Sequence, residues 1–170
     1  MLRICSGNDM LTTRYQSLGT GFPLSSLLGY QTKEQLQKMA DRIDIYLPHS
    51  HRKERQAEEL AAAIVDDPLN TLRLLSKKEI GIVRQIVAAG PEVGVRVRKM
   101  PKTFYKLQKL FLVVSYDDGA DWLLFMPDEL RESFGKALED PDFEVLHSIT
   151  AKEERRLSML AWLYGAAEKD

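Results

Sequence analysis

A single cysteine, Cys5, stands in a chain of 170 residues. It excludes an internal disulfide and a cysteine-based zinc site, and nothing suggests an oxidising compartment. No apolar run approaches the roughly 18–20 residues that a helix needs to cross a bilayer. A signal-peptide core is missing too, because Met1-Leu2-Arg3-Ile4-Cys5-Ser6-Gly7 runs at once into polar Asn8-Asp9. These absences predict an intracellular, cytoplasmic protein without membrane contact. Net charge is also lacking: 24 basic residues meet 25 acidic ones, for a formal charge of −1. Any affinity for nucleic acid must therefore arise from a local patch.

The constellations that catalysis requires are missing as well. There is no Gly-x-Ser-x-Gly elbow, no phosphate-binding Gly-x-x-x-x-Gly-Lys loop and no dinucleotide fingerprint. His49-Ser50-His51 offers two imidazoles but no third ligand at zinc-like spacing. Asp117-Asp118-Gly119-Ala120-Asp121 lacks the alternating ligands and distant glutamate of a calcium loop, and reads as a turn. The chain is expected to be no enzyme, with neither metal nor cofactor.

What is present is a set of helix starts. Thr32-x-x-Gln35, Ser76-x-x-Glu79 and Thr150-x-x-Glu153 have capping-box form, in which two side chains reciprocally satisfy exposed backbone amides. Asp67-Pro68 adds a fourth start, a capping carboxylate followed by proline at the first helical position. Helical spacing agrees for Leu36, Met39, Ala40 and Ile43, for Ala57, Leu60, Ala61 and Ile64, and for Leu157, Leu160, Ala161 and Tyr164. The period then changes. Val93, Val95 and Val97 alternate with Gly94, Arg96 and Arg98, as in a half-exposed strand. Residues 112–116 and 122–126 flank the polar turn as a hairpin. A further helix opens at Pro127-Asp128-Glu129 and carries Leu130, Phe134 and Leu138 on one face. Residues 1–28, rich in glycine and serine without sustained periodicity, read as an extended or poorly ordered lead-in. Met10-Leu11-Thr12-Thr13 offers a second candidate start besides Met1. The predicted class is mainly α, of α+β type, with a small antiparallel β-hairpin sheet.

Two stretches carry resemblances. Thr32, Leu36, Met39 and Ala40, then Ile45 and Leu47, then Lys53, Leu60 and Ile64, resemble the helix–extended–helix module of the SAP and Rho N-terminal families. Pro48-His49-Ser50-His51-Arg52 lengthens the link. Residues 70–135 are similar to a reduced winged helix: a first helix at 76–89, a strand at 93–97, a recognition-like helix at 101–110 and two wing strands at 112–126, with no room for the usual second helix. The division implied is a lead-in over 1–28, a SAP-like helical module over 29–66, a winged-helix-like domain over 67–146 and a C-terminal helix over 147–170. Together these resemble uncharacterised bacterial proteins of that architecture, in which such modules accompany transcription or helicase machinery.

Charge points to the same segment. Between residues 70 and 110 ten basic residues face only Glu79 and Glu92, whereas residues 117–146 hold ten acidic residues against Arg131 and Lys136. In the recognition-like helix Phe104, Leu107 and Leu110 are expected inward and Lys102, Tyr105, Lys106 and Lys109 outward. The candidate nucleic-acid residues, for DNA or RNA, are Lys53, Arg55, Arg96, Arg98, Lys99, Lys102, Tyr105, Lys106 and Lys109. Contacts of this kind fall mainly on phosphates and are salt-dependent. The alternative is a protein-interaction adaptor without nucleic acid. It would use the acidic third or the apolar C-terminal helix, whose Met159, Trp162 and Leu163 dock a partner or a second copy, unless that helix packs across both modules. The two readings differ in whether the cations point outward or pair with the acidic third.

Overall fold

Helices begin at the Thr32, Asp67-Pro68 and Ser76 signals, and the apolar stripes within 36–43 and 57–64 are buried, whereas Leu157 and Leu160 of the third are exposed. The computed structural model describes residues 3–4, 20–148, 153, 156–157 and 159–163. Helix α1 spans Leu24–Leu28, α2 Lys33–Arg42, α3 Lys53–Asp66, α4 Pro68–Leu72 and α5 Lys77–Ala89. Strand β1 is Arg3–Ile4 and β2 is Val93–Arg98; α6 covers Lys106–Lys109, β3 Val114–Asp118, β4 Asp121–Phe125, α7 Asp128–Leu138 and α8 Phe143–Ser148. The fold is thus mixed helix and strand. Strands β2, β4 and β3 form an antiparallel sheet in that order, and β1 adds a short parallel pairing along Val93 and Gly94.

At α2 the reciprocal cap is complete: Thr32 Oγ1 accepts from the Gln35 amide and Gln35 Oε1 from the Thr32 amide. Ser76 likewise accepts from the Glu79 amide at the head of α5. Glu79 does not complete a reciprocal cap, because its carboxylate is buried and engaged elsewhere. Asp67 precedes Pro68 as expected, yet its side chain takes a hydrogen bond from Asn70 Nδ2 and caps no backbone amide. The Thr150 signal lies outside the described residues.

The lead-in requires correction. Its last five residues form α1, whose Leu24, Leu27 and Leu28 are buried, and α1 packs against α3. Five residues are too few to sustain a helix alone. The Leu24 amide donates to Glu129 Oε1 at 2.5 Å, a carboxylate 105 positions away that acts as the N-cap. Thr20 joins the same corner, donating to Asp128 Oδ1 and accepting from the Glu92 amide.

One apolar cluster runs from Leu24 to Phe143 and crosses the boundary expected between residues 66 and 67. Leu60 and Ile64 of α3, Ile86 of α5 and Phe134 of α7 are all buried within it. Helices α5 and α7 approach closely at Gly135, where an added Cβ would come within 3.1 Å of Val87. The other face of the sheet carries a small cluster of its own, Leu123 and Phe125 with Val114 and Tyr116. Gly94 lies beneath it, and a Cβ there would meet Phe125 at 2.7 Å and Leu123 at 2.8 Å.

The hairpin forms with a tighter turn than the polar run suggested. Asp117, Asp118 and Asp121 belong to the strands, and only Gly119 and Ala120 turn the chain. Gly119 sits at φ 67°, a conformation that glycine adopts without steric cost. Leu112 and Val113 lie before β3 and are buried. Helix α8 straddles the expected boundary at 146, with Phe143 buried and stacked on His147. The described residues of 153–163 are helical and exposed.

Candidate nucleic-acid interface

The basic third is divided by the pleat of the sheet. Directly opposed residues share a face, so Val97, Trp122 and Asp117 lie on one side and Arg96, Leu123 and Tyr116 on the other. Arg96 forms an ion pair with Asp118, both side chains largely shielded from solvent. Arg98 is on that same face, opposite Asp121, and is exposed. Lys99, one residue past β2, reaches the opposite face. Its ammonium binds Asp117 at 2.6 Å and lies 4.5 Å from the centre of the Trp122 ring. That hydrogen bond, assisted by the Gly119 amide, holds the Asp117 carboxyl below the usual carboxylate range.

The recognition-like helix is far shorter than expected. Only residues 106–109 are helical, and the chain before them turns through Lys102 at φ 68°. With no helix over 103–105 and Tyr105 extended at φ −66° and ψ 151°, the inward and outward assignments of two aromatics reverse. Tyr105 is 2% exposed and donates its hydroxyl proton to the Arg98 carbonyl at 2.6 Å. Phe104, expected inward, is 52% exposed and rests against Trp122 with ring centres 5.6 Å apart. Tyr105 is therefore an anchor and cannot present its ring outward as a binding residue. Leu107 and Leu110 are buried as expected.

Three contacts fasten this short helix to α5 and the turn before it. Glu79 Oε1 accepts from the Leu107 amide at 3.0 Å, which satisfies one orphan donor of the first turn. Lys106 Nζ donates to the Leu74 carbonyl at 2.9 Å. The Lys78 ammonium lies 5.6 Å from the Tyr105 ring centre. The backbone is held from beneath, and the side chains of Lys102, Lys106 and Lys109 remain exposed.

Cations of residues 70–110 thus fall into two sets. Arg84, Arg96 and Lys99 pair with Glu144, Asp118 and Asp117 of the acidic third, and Arg73 binds Asn70 and the Leu146 carbonyl. Lys77, Lys78, Arg98, Lys102, Lys106 and Lys109 are exposed and make no ion pair among the described residues. No protein-family model, curated protein or solved structure matches this chain.

The other candidates are placed elsewhere. Lys53 begins α3 and Arg55 pairs with Glu59; no hydrogen bond, ion pair or ring contact among the described residues links either to residues 96–109. Met159, Trp162 and Leu163 are exposed, as are Leu157 and Leu160. Packing of this segment across both modules is therefore not found among the described residues.

Other polar clusters serve the fold. His51 Nδ1 is 2.7 Å from Glu59, and His49 offers its carbonyl to Lys33. Among the described residues no group of three or more His, Cys, Asp or Glu could hold a metal ion, and no helix is long and apolar enough to cross a membrane. An open depression between α3 and α7 is lined by Asp66, Glu129, Glu132, Ser133 and Lys136. Its Glu129 caps α1 and its Ser133 hydroxyl donates to the Val65 carbonyl. Sequence reasoning missed Phe104 as a surface aromatic and Glu79 as a clamp.

Proposed function

We propose that this chain is a non-catalytic, cytoplasmic accessory protein that binds nucleic acid weakly through Lys77, Lys78, Arg98, Lys102, Lys106 and Lys109. The observation that carries the reading is that these six cations are exposed and form no ion pair among the described residues, although the neighbouring acidic third holds ten carboxylates. Three of the lysines also sit on a loop and turn whose backbone is fixed by Tyr105 and Glu79. Exposed ammonium groups on a fixed backbone can engage phosphates and release counterions when they do. The SAP-like resemblance of residues 29–66 favours the same reading. Changing Lys102, Lys106 and Lys109 together to Gln should weaken binding of labelled oligonucleotides in fluorescence anisotropy. The log–log salt slope should fall by roughly 0.7 to 0.9 for each phosphate that is no longer neutralised. A folded triple variant that binds as the parent does would remove this face as the contact surface.

A second reading rests on the C-terminal segment. Leu157, Met159, Leu160, Trp162 and Leu163 expose large apolar side chains close together in the chain, more than scattered surface residues account for. In that reading the protein is an adaptor that docks a partner or a second copy. Light scattering of the full chain against a Trp162→Ser, Leu163→Ser variant tests self-association directly.

A further inference from the structure

We infer that Phe104, backed by Trp122 and flanked by Lys99 and Lys102, is a stacking platform for an unpaired base, so that the ligand of this face is a single strand. The inference rests on the nucleic-acid reading above and adds the kind of strand. Three observations carry it.

The first is the length of α6. Four residues make about one turn, roughly 6 Å at 1.5 Å per residue, which is too short to lie along a major groove and present base-reading side chains. The recognition helix by which helix-turn-helix proteins read a duplex is absent from the place where it was expected. The second is the placement of Phe104. Its ring is half open to solvent, yet it is supported at 5.6 Å by Trp122, itself set in the sheet between Val97 and Asp117. An exposed ring held by another ring offers a π surface at low entropic cost. Within a duplex each base already stacks on its neighbours, whereas an unpaired base offers its face without the cost of unstacking a base step.

The third is the arrangement of charge. Lys99 lies over Trp122 and is neutralised by Asp117, so it rigidifies the aromatic pair without acting as a free cation. Lys102 lies two residues before the ring in the chain and Lys106 and Lys109 follow it, all three with exposed side chains, the Lys106 ammonium donating to the Leu74 carbonyl. A base on Phe104 with its flanking phosphates directed to these lysines uses both features together. Aromatic stacking combined with a positive track is the physical basis of sequence-tolerant single-strand binding.

The test uses the full-length chain and labelled twelve-nucleotide oligothymidylate, oligouridylate and a twelve-base-pair duplex, by anisotropy at two salt concentrations. The parent is expected to bind one or both oligomers at least about tenfold more tightly than the duplex. Phe104→Leu, which keeps an apolar contact with Trp122, should weaken single-strand binding by about 5- to 150-fold and leave the salt slope unchanged. Phe104→Tyr should restore affinity. The triple lysine variant should instead lower the slope. Circular dichroism and thermal melting check that each variant is folded. Duplex binding as tight as single-strand binding, or a folded Phe104→Leu protein that binds as the parent does, overturns the platform and leaves the nucleic-acid reading standing. No binding of any probe by the parent at low salt overturns both.

Discussion

Two connecting segments, residues 43–52 between α2 and α3 and residues 99–113 between β2 and β3, solve the same problem with different anchors. Each is an irregular stretch that must find partners for its backbone, and each is served by a buried side chain from a neighbouring helix. In the first, Gln56 of α3 is fully buried and its Nε2 donates to the carbonyls of Pro48 and His51. Lys33 donates to the His49 carbonyl, and Arg55 and His51 both converge on Glu59. In the second, Tyr105 and Glu79 anchor the backbone together with Lys106 on the Leu74 carbonyl and Lys99 on Asp117, and Lys102 and Lys109 take no part in it among the described residues. The difference teaches that a basic loop becomes a candidate binding surface when uncharged or acidic groups beneath it carry part of the structural work.

The contrast is broken most completely at Tyr105. Tyr105→Ala removes a buried aromatic ring and the hydroxyl on the Arg98 carbonyl, and should cost about 3–5 kcal/mol in chemical denaturation. Oligonucleotide binding should disappear at the same time, since the row of lysines loses its support. Tyr105→Phe isolates the hydroxyl and should cost only about 1 kcal/mol.

Deleting the clamp in each segment sharpens the comparison. Glu79→Ala leaves the Leu107 amide without its acceptor, and Gln56→Ala leaves two carbonyls without their donor. Each should cost about 1–3 kcal/mol, the usual penalty for an unsatisfied buried polar group. Only Glu79→Ala should also weaken oligonucleotide binding; equally weakened binding in both variants would show that the two segments do not differ in function.

The smallest effect concerns the hairpin beside the platform. Because Lys99 stabilises ionised Asp117, the folded carboxyl titrates below its unfolded counterpart. Its contribution to stability is therefore present above the unfolded value and fades as pH falls through the folded one. Both groups meet solvent, so the gain is slight. An NMR titration should place the Asp117 midpoint lower in the parent than in Lys99→Met, and an unchanged midpoint would separate the two side chains in solution.

What the sequence determined by itself is the local structure. Thr32 and Ser76 mark helix starts, and the spacing of Leu36, Met39 and Ala40 or of Leu130, Phe134 and Leu138 defines the buried stripes. Gly119 marks the turn between β3 and β4. Each of these follows from interactions within a few residues, so nearby sequence contains the whole cause. Tertiary structure decided what depends on residues far apart. Helix α1 exists because Glu129 caps it and α3 covers it. Phe104 and Tyr105 exchange inside and outside because the chain is not helical until Glu79 receives the Leu107 amide. The division of the basic third into two sets of cations depends on which carboxylates of β3 and α8 fold within reach. Side-chain position and backbone phase are set there by contacts 18 to 105 residues away, and no local pattern encodes a distance of that kind.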